Sequence, residues 1–271
     1  MLDLLRAHWP EYLSDGALLG LFMVSALSFG VVLEHPRSRL RRAIPNGLAR
    51  RALMGLAMGA TAVALIYSPL GKRSGAHMNP ATTLAFLHLG KVESGDALFY
   101  VLAQFTGGLL GIGMGALLWR SLASASEVRY VATLPGRRGP GVAFLAEVAI
   151  SFLLMSVVLF ATNRPGLAPY TGLLAGALVA TYVTFEAPLS GMSMNPARTL
   201  ASAVPAREGR GLWIYFAAPL LGMLLAAEAR ARVFEGRVAC AKLQHDDAYR
   251  CIFCGAGGPL DESSMKSRAS P

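Results

Sequence analysis

The chain has 271 residues, of which 54% are hydrophobic and only 15% are charged. Because a soluble domain carries about a quarter charged residues, this composition excludes an ordinary soluble domain and indicates an integral membrane protein. The formal net charge of +9 comes mostly from arginines in the loops and tail between apolar runs, where membrane proteins place them. We therefore do not expect nucleic acid to be a partner.

Apolar runs of about 20 residues recur along the chain, and each could cross a bilayer as a helix. The first run follows a charged N-terminal segment, 1–15, and lacks a convincing cleavage site, so we expect a span rather than a signal peptide. The predicted spans are 16–34, 50–69, 96–119, 141–162, 168–187 and 211–233.

Two further stretches, about 79–90 and 195–204, follow the second and fifth spans and are too short to cross a bilayer. Both begin with Asn-Pro-Ala, 116 residues apart, and Tyr100 and Tyr215 recur 115 residues apart. This constant offset indicates an internal duplication. Because each half has three full spans, the second half must enter from the opposite side, as in inverted repeats. The predicted architecture is an all-α membrane protein with a first repeat (16–119), a connecting loop (120–140), a second repeat (141–233) and a polar tail (234–271).

The two Asn-Pro-Ala turns predict helix starts, since asparagine is a good N-cap and proline is favoured at the first helical position. A helix of about 11 residues is about 16 Å long, half the hydrocarbon core, so two from opposite sides meet near the midplane. Their positive N-terminal ends repel cations and protons, while the asparagine amides can donate to a passing oxygen. The predicted pore residues are Asn79, Pro80, Ala81, Asn195, Pro196 and Ala197, with Arg198 as a nearby fixed charge.

At these residues the chain resembles the major intrinsic protein family of aquaporins and glycerol facilitators. The resemblance covers about 16–233 and is carried by the paired motifs, Arg198, Ser74-Gly75-Ala76-His77-Met78, Ala103-Gln104, and Tyr215 with Pro219. It implies an aquaporin-like fold, with six transmembrane helices and two re-entrant half-helices, assembled as a homotetramer with one pore per subunit.

The resemblance also implies a multi-pass protein of the plasma (inner) membrane, surrounded by lipid, with both termini in the cytoplasm. The first loop, with arginines between positions 37 and 51, opposes this orientation under the positive-inside tendency. The basic tail favours it, and we expect the family orientation.

By the same resemblance, the outer selectivity filter comprises Met58, Val183, Met192 and Arg198, with Gly59 as the alternative to Met58. Water-selective members carry an aromatic residue and a histidine where Met58 and Val183 stand. We expect a passive channel for water, together with small uncharged solutes, that excludes protons and ions. The alternative is a facilitator for glycerol or similar neutral solutes with little water selectivity; a secondary transporter and a structural protein are less favoured.

Two carboxylates are expected to support the re-entrant loops. Glu147 matches a family glutamate that holds such a loop, and Glu186 either serves the second half as well or is an interfacial carboxylate. The counterpart of Glu147 in the first span is Ala17, so the first loop either is held differently or uses Asp15. His77 is expected at the pore mouth.

The tail contains Cys240, His245, Cys251 and Cys254, which could supply four zinc ligands. The alternative is three reduced thiols in a partly disordered tail outside the membrane, and no metal or cofactor is predicted. No catalytic constellation is evident, so we do not expect an enzyme. The expected partners are water, small neutral solutes and lipid.

Overall fold

The computed structural model describes residues 1–233, 238–245 and 248–257, and every regular element among them is helical. Within these described residues, six helices are long and apolar enough to cross a membrane, which confirms the predicted fold class. The helices are α1 (Leu2–Glu34), α2 (Arg39–Ala43), α3 (Gly47–Tyr67), α4 (Pro69–Ser74), α5 (Pro80–His88), α6 (Ser94–Trp119), α7 (Pro140–Thr162), α8 (Thr171–Phe185), α9 (Ala187–Ser190), α10 (Pro196–Ala206) and α11 (Leu212–Val233).

The first spanning helix begins much earlier than predicted, at Leu2, because the N-terminal segment continues the same helix. Its charged side chains interrupt the apolar run in the sequence, but charged residues are compatible with helix and do not end one. Two polar contacts hold the added turns against α6. His8 Nδ1 lies 2.8 Å from Asp96 Oδ1, and the Tyr12 hydroxyl donates to the same oxygen.

The spanning helices pack closely through glycines that face backbone. In the contact between α1 and α6, a Cβ added to Gly107 would lie 2.0 Å from the carbonyl oxygen of Gly16. In the antiparallel contact between α3 and α8, a Cβ on Gly59 would lie 2.5 Å from the carbonyl oxygen of Gly176. Small residues permit such approaches in lipid, and they bring the helices around one central space.

The two half-helices enter this space from opposite ends, with their N-termini facing each other. α5 has 9 residues and α10 has 11, so each is about half as long as a membrane is thick. α5 ends two residues before the predicted limit. α10 ends two residues after its predicted limit, although Pro205 in its last turn cannot donate a backbone hydrogen bond.

The polar tail is only partly described, since 234–237, 246–247 and 258–271 lie outside the described residues. The rest, which we call the tail lid (238–245 and 248–257), packs on one end of the helical bundle. A partly disordered tail was expected, and this part of it is ordered. The reason is its apolar face: Ala241 and Leu243 are buried in the main core, and Phe253 packs against it.

Candidate channel and its two ends

A cavity of about 380 Å³ runs through the centre of the bundle. One end lies at Leu243 of the tail lid and at His77, the middle lies at Asn79 and Asn195, and the other end includes Arg198. We call these ends the tail end and the filter end. The walls of the cavity come from α1, α3, α7 and α8 together with the segments before the two half-helices. The polar groups of the two repeats thus line one continuous path.

The two predicted asparagines meet at the middle of the cavity. The side-chain oxygen of Asn79 accepts from the Ala81 amide at 2.9 Å, and that of Asn195 accepts from the Ala197 amide at 3.0 Å. Both oxygens are thereby used as helix caps. Each Nδ2 also donates one hydrogen across the pseudo-symmetry axis: Asn79 to the Met194 carbonyl and Asn195 to the Met78 carbonyl, both at 2.7 Å.

This crossed arrangement locks the amides in one orientation, a feature that the sequence analysis did not foresee. A primary amide carries two N–H groups, so one hydrogen of each asparagine remains for the cavity. The facing helix N-termini add positive potential at the same point. An oxygen at the centre can therefore accept two hydrogen bonds in a field that opposes cations.

The segments before the half-helices have matching backbone conformations in the two repeats. Ala76 and Met78 in the first, and Met192 and Met194 in the second, have φ between 50° and 57°. Left-handed conformations of this kind are costly for non-glycine residues. They persist here because side chains from the spanning helices hold the loops at several points.

The first loop is held by Asp15 of α1. Its carboxylate accepts from the Ser74 hydroxyl at 3.0 Å, the Met78 amide at 2.9 Å and the Gln104 side chain at 2.7 Å. Ser74 in turn accepts from the Ala76 amide at 3.1 Å. Of the two alternatives left open by the sequence, the structure places Asp15, rather than a differently built support, at the first loop.

The second loop is held in the same manner by Glu147 of α7. Its carboxylate accepts from the Ser190 hydroxyl and from the Ser193 and Met194 amides, all at 2.7 Å. A buried carboxylate is tolerated when it receives several hydrogen bonds. Glu186 lies buried directly before α9 and close to Ser190 of the second loop, while the two loop amides donate to Glu147; the supporting role of Glu186 stays a prediction.

Two tyrosines complete the pairing of the loops. The Tyr100 hydroxyl donates to the Ser74 carbonyl at 2.7 Å, and the Tyr215 hydroxyl donates to the Ser190 carbonyl at 2.5 Å. The sequence analysis used these tyrosines only to support the duplication. Their similar spacing from Ser74 and Ser190, 26 and 25 residues, was the signal that could have given their role.

All four predicted filter residues line the cavity: Met58, Val183, Met192 and Arg198. Gly59 packs against Gly176 and is not among the lining residues. Side chains tilt toward the N-terminus of their own helix. Because α3 and α8 run in opposite directions, the side chains of Met58 and Val183 lean toward each other. Met54, one turn nearer the α3 N-terminus, also lines the cavity and was missed by sequence reasoning.

Arg198 is fixed by both backbone and side-chain contacts. Its amide donates to Asn195 Oδ1 at 3.1 Å, and its guanidinium donates to the hydroxyl of Thr133 in the connecting loop. A guanidinium has five N–H donors, so these contacts leave donors for the cavity. The predicted filter residues therefore combine one strongly polar side chain with three apolar ones.

His77 lies at the tail end of the cavity but is covered rather than open. Its Nε2 donates to the Ala241 carbonyl at 2.8 Å, which leaves Nδ1 to accept from the Thr83 hydroxyl at 3.1 Å. The Phe253 ring stacks on the imidazole with 5.5 Å between centroids and 12° between planes. The predicted pore mouth is thus closed by the tail lid.

The cysteines and histidine of the tail lid form one cluster. The ligand atoms of Cys240, His245, Cys251 and Cys254 all lie within 4.8 Å of one another. The sulfur atoms of Cys240 and Cys251 are 3.4 Å apart, and His245 Nε2 is 3.4 Å from the Cys254 sulfur. The hydrogen bond between the first two thiols lowers the pKa of Cys251 and raises that of Cys240. A tetrahedral ion with bonds of about 2.0–2.3 Å to nitrogen and sulfur requires such close ligands.

Two re-entrant half-helices around a central asparagine pair define the class of a multi-pass membrane channel. The chain belongs to the major intrinsic protein family, since the model of that family matches residues 2–229. The resemblance inferred from the sequence is thereby confirmed. Members of the family are channels for water and small neutral solutes such as glycerol rather than enzymes.

Relatives of two kinds share this similarity. The chain is 37% identical to aquaporin NIP1-2 of Arabidopsis thaliana over 181 residues, covering 65% of this chain and 61% of that protein. It is 35% identical to glycerol uptake facilitator protein-like 6 of Lactiplantibacillus plantarum over 182 residues, covering 64% of this chain and 81% of that protein. The chain thus spans about three fifths of the length of the plant relative.

A solved structure has the same fold. The X-ray structure of the aquaglyceroporin from Plasmodium falciparum aligns with a TM-score of 0.69 at 17% identity, covering 83% of this chain and 96% of that one. At this level of identity the similarity concerns the fold alone.

Proposed function

We propose that the protein is a passive channel for water and small uncharged solutes that excludes protons and ions. The observation that carries this proposal is the pair of asparagine amides held in mid-cavity by crossed hydrogen bonds. A water molecule at this point accepts from both remaining N–H groups, so its own hydrogens turn toward the two ends. That orientation interrupts a chain of proton-transferring waters, and the helix N-termini oppose a charged intermediate.

In this proposal Arg198, Met58, Val183 and Met192 form the filter. The guanidinium repels cations and donates to solute oxygens, while the apolar side chains offer no replacement for an ion's hydration shell. Removing an ion from water without such a replacement is very costly. Neutral molecules do not meet this barrier, so their size and hydrogen bonding decide whether they pass.

A second candidate is a preference for glycerol-sized neutral solutes over water, and the filter composition favours it. Water must give up hydrogen bonds along the apolar wall of Met58, Val183 and Met192. A small polyol can direct its hydroxyls to Arg198 and its CH groups to that wall. Relatives named as aquaporins and as a glycerol uptake facilitator both occur, so this preference needs direct measurement.

Stopped-flow light scattering on proteoliposomes tests the channel proposal. The full chain is measured with water, glycerol and urea gradients, in buffer with a reductant and a metal chelator. We expect flux that is faster than in protein-free liposomes and that does not change when proton or sodium gradients are imposed. Flux no faster than in empty liposomes for all three solutes would refute the channel, and gradient-driven uptake would indicate a coupled transporter.

The change Val183→His tests the filter assignment. Histidine is larger and polar, so we expect the glycerol-to-water permeability ratio to fall about tenfold, the lower range of discrimination by one pocket contact. Val179→His is the matched control, because Val179 lines the same cavity one turn closer to the tail end. An equal fall in both variants would contradict Val183 as a filter residue.

We also propose a homotetramer in the plasma (inner) membrane with both termini in the cytoplasm. Large apolar side chains exposed on α6, among them Leu102, Leu110 and Leu117, require cover by lipid or by neighbouring subunits. Native mass spectrometry from detergent tests the tetramer. A fluorescent reporter that matures only in the cytoplasm, fused to the C-terminus, tests the orientation. Absence of fluorescence from the fusion would contradict a cytoplasmic C-terminus.

A further inference from the structure

We propose that the tail lid is a zinc-binding element, and that zinc held by Cys240, His245, Cys251 and Cys254 keeps the tail end of the channel closed. The closing role rests on the proposed channel function, whereas the zinc site does not. The four ligand atoms already lie within 4.8 Å of one another. Three sulfurs and one imidazole nitrogen form a typical set for structural zinc.

The local backbone supports a metal site at this cluster. The sequence Cys251-Ile252-Phe253-Cys254-Gly255 forms a tight turn in which the Gly255 amide donates to the Cys251 carbonyl at 2.8 Å. Gly255 has φ of 74°, a conformation that favours glycine. The Lys242 amide approaches the Cys240 sulfur at 3.5 Å. Turns of this kind direct backbone N–H groups toward sulfur, and such groups stabilise a metal-bound thiolate.

The ligands bracket the residues that close the cavity. Ala241, Lys242 and Leu243 lie between Cys240 and His245, and Phe253 lies between Cys251 and Cys254. Leu243 lines the tail end of the cavity. A metal that fixes the ends of both segments therefore also fixes the side chains that cover His77.

Several polar contacts dock these bracketed segments onto the channel. The Leu243 amide donates to the Gly75 carbonyl at 3.1 Å, and the buried Lys242 ammonium donates to the Lys72 carbonyl at 2.8 Å. The Ala241 carbonyl accepts from His77, as described above. Two of these contacts reach the loop that leads to Asn79, and the contact with Lys72 reaches α4 directly before that loop, so the lid is docked on the re-entrant segment.

Zinc binding favours this docking because it reduces the conformational freedom of the lid before the lid docks. Without a metal the lid is a short segment whose apolar face must be ordered each time it docks. Fixing even one residue's backbone corresponds to about tenfold in an equilibrium constant. Zinc supplies that order before docking, so we expect it to shift the lid toward the closed position by at least about tenfold.

The first test is zinc content and coordination of the full chain, purified in detergent with a thiol-free reductant. The reductant prevents a disulfide between Cys240 and Cys251 from being mistaken for metal binding. We expect one zinc per chain by elemental mass spectrometry, and a tetrahedral thiolate spectrum when Co²⁺ replaces it. Absence of both signals, or equal binding by the double variant Cys251→Ser/Cys254→Ser, would overturn the site.

The second test is water and glycerol flux in proteoliposomes with buffered zinc or chelator on both sides of the membrane. We expect zinc to reduce the flux of the full chain at least about tenfold and to leave Cys251→Ser/Cys254→Ser open. His88→Ala, which removes an exposed histidine outside the cluster, is the control and should close like the unchanged chain. Zinc inhibition that persists in the double variant would indicate direct block near His77 and overturn the lid.

A third variant separates metal binding from closure. Leu243→Ala keeps all four ligands but removes the side chain at the tail end of the cavity, so it should bind zinc and yet conduct in its presence. Unchanged closure would overturn the occluding role of Leu243. The outcomes also separate the two proposals. Fast flux that does not respond to zinc would refute only the closing role of the tail lid. Absence of flux in every variant and buffer would refute the proposed channel function.

Discussion

The two re-entrant loops have the same shape but are held by different carboxylates. Glu147 in the second repeat receives one hydroxyl and two backbone amides. Asp15 in the first receives one hydroxyl, one backbone amide and the side chain of Gln104. Duplicated loops can thus keep the same backbone conformation even when a different carboxylate and different donors hold them. In both loops the carboxylate still receives three hydrogen bonds.

The two carboxylate sites differ in whether a donor group can rotate to become an acceptor. Both oxygens of Glu147 face a backbone N–H, which has a fixed direction. One oxygen of Asp15 faces only the Ser74 hydroxyl, which can rotate and accept instead of donating. The second loop is therefore the less tolerant of the two, and the following changes test that asymmetry.

The largest effect is expected for Glu147→Gln. Whichever way the new amide is oriented, its NH₂ group points at a backbone N–H. One hydrogen bond is therefore replaced by two buried donors that face each other. The loss of a charge-assisted bond together with an unsatisfied donor should lower the free energy of unfolding by about 2–4 kcal/mol. Thermal unfolding in detergent, followed by tryptophan fluorescence, measures this, and a loss no larger than that of Asp15→Asn would contradict the asymmetry.

A smaller effect is expected for Asp15→Asn. The new oxygen can accept from the Met78 amide and Gln104, while the new NH₂ donates to a rotated Ser74 hydroxyl. Only the charge assistance is lost, so the free energy of unfolding should fall by about 1–2 kcal/mol. In the double variant Asp15→Asn/Ser74→Ala the rotating acceptor is removed, and the loss should approach that of Glu147→Gln. Strict additivity of the two single changes would argue against compensation by Ser74.

The smallest effects are expected for Tyr100→Phe and Tyr215→Phe. Each removes one neutral hydrogen bond to a serine carbonyl, worth about 0.5–1.5 kcal/mol. Because the two bonds are equivalent, the changes in unfolding free energy should agree within a few tenths of a kcal/mol. A clearly larger loss for Tyr100→Phe would indicate that its contact with Phe253 also depends on the hydroxyl.

The sequence was sufficient for features that arise from local order along the chain. Apolar runs of bilayer length predicted the six spans, and Asn-Pro predicted where both half-helices begin, since capping and proline geometry involve only neighbouring residues. The repeat offset predicted the duplication, and the three spans in each half predicted that the second half is inverted. These features do not depend on knowing which residues touch.

Other features required the tertiary structure, because they depend on the rotation and depth at which helices pack. Only the register of α1 shows Asp15 at the first loop, and only the contact between Gly59 and Gly176 leaves Met58 to face the cavity. The crossed bonds of the asparagines join residues far apart in the chain. The tail lid is the strongest case: its sequence is polar and rich in small residues, yet Leu243 and Phe253 are held against the tail end of the channel by contacts that no local pattern reveals.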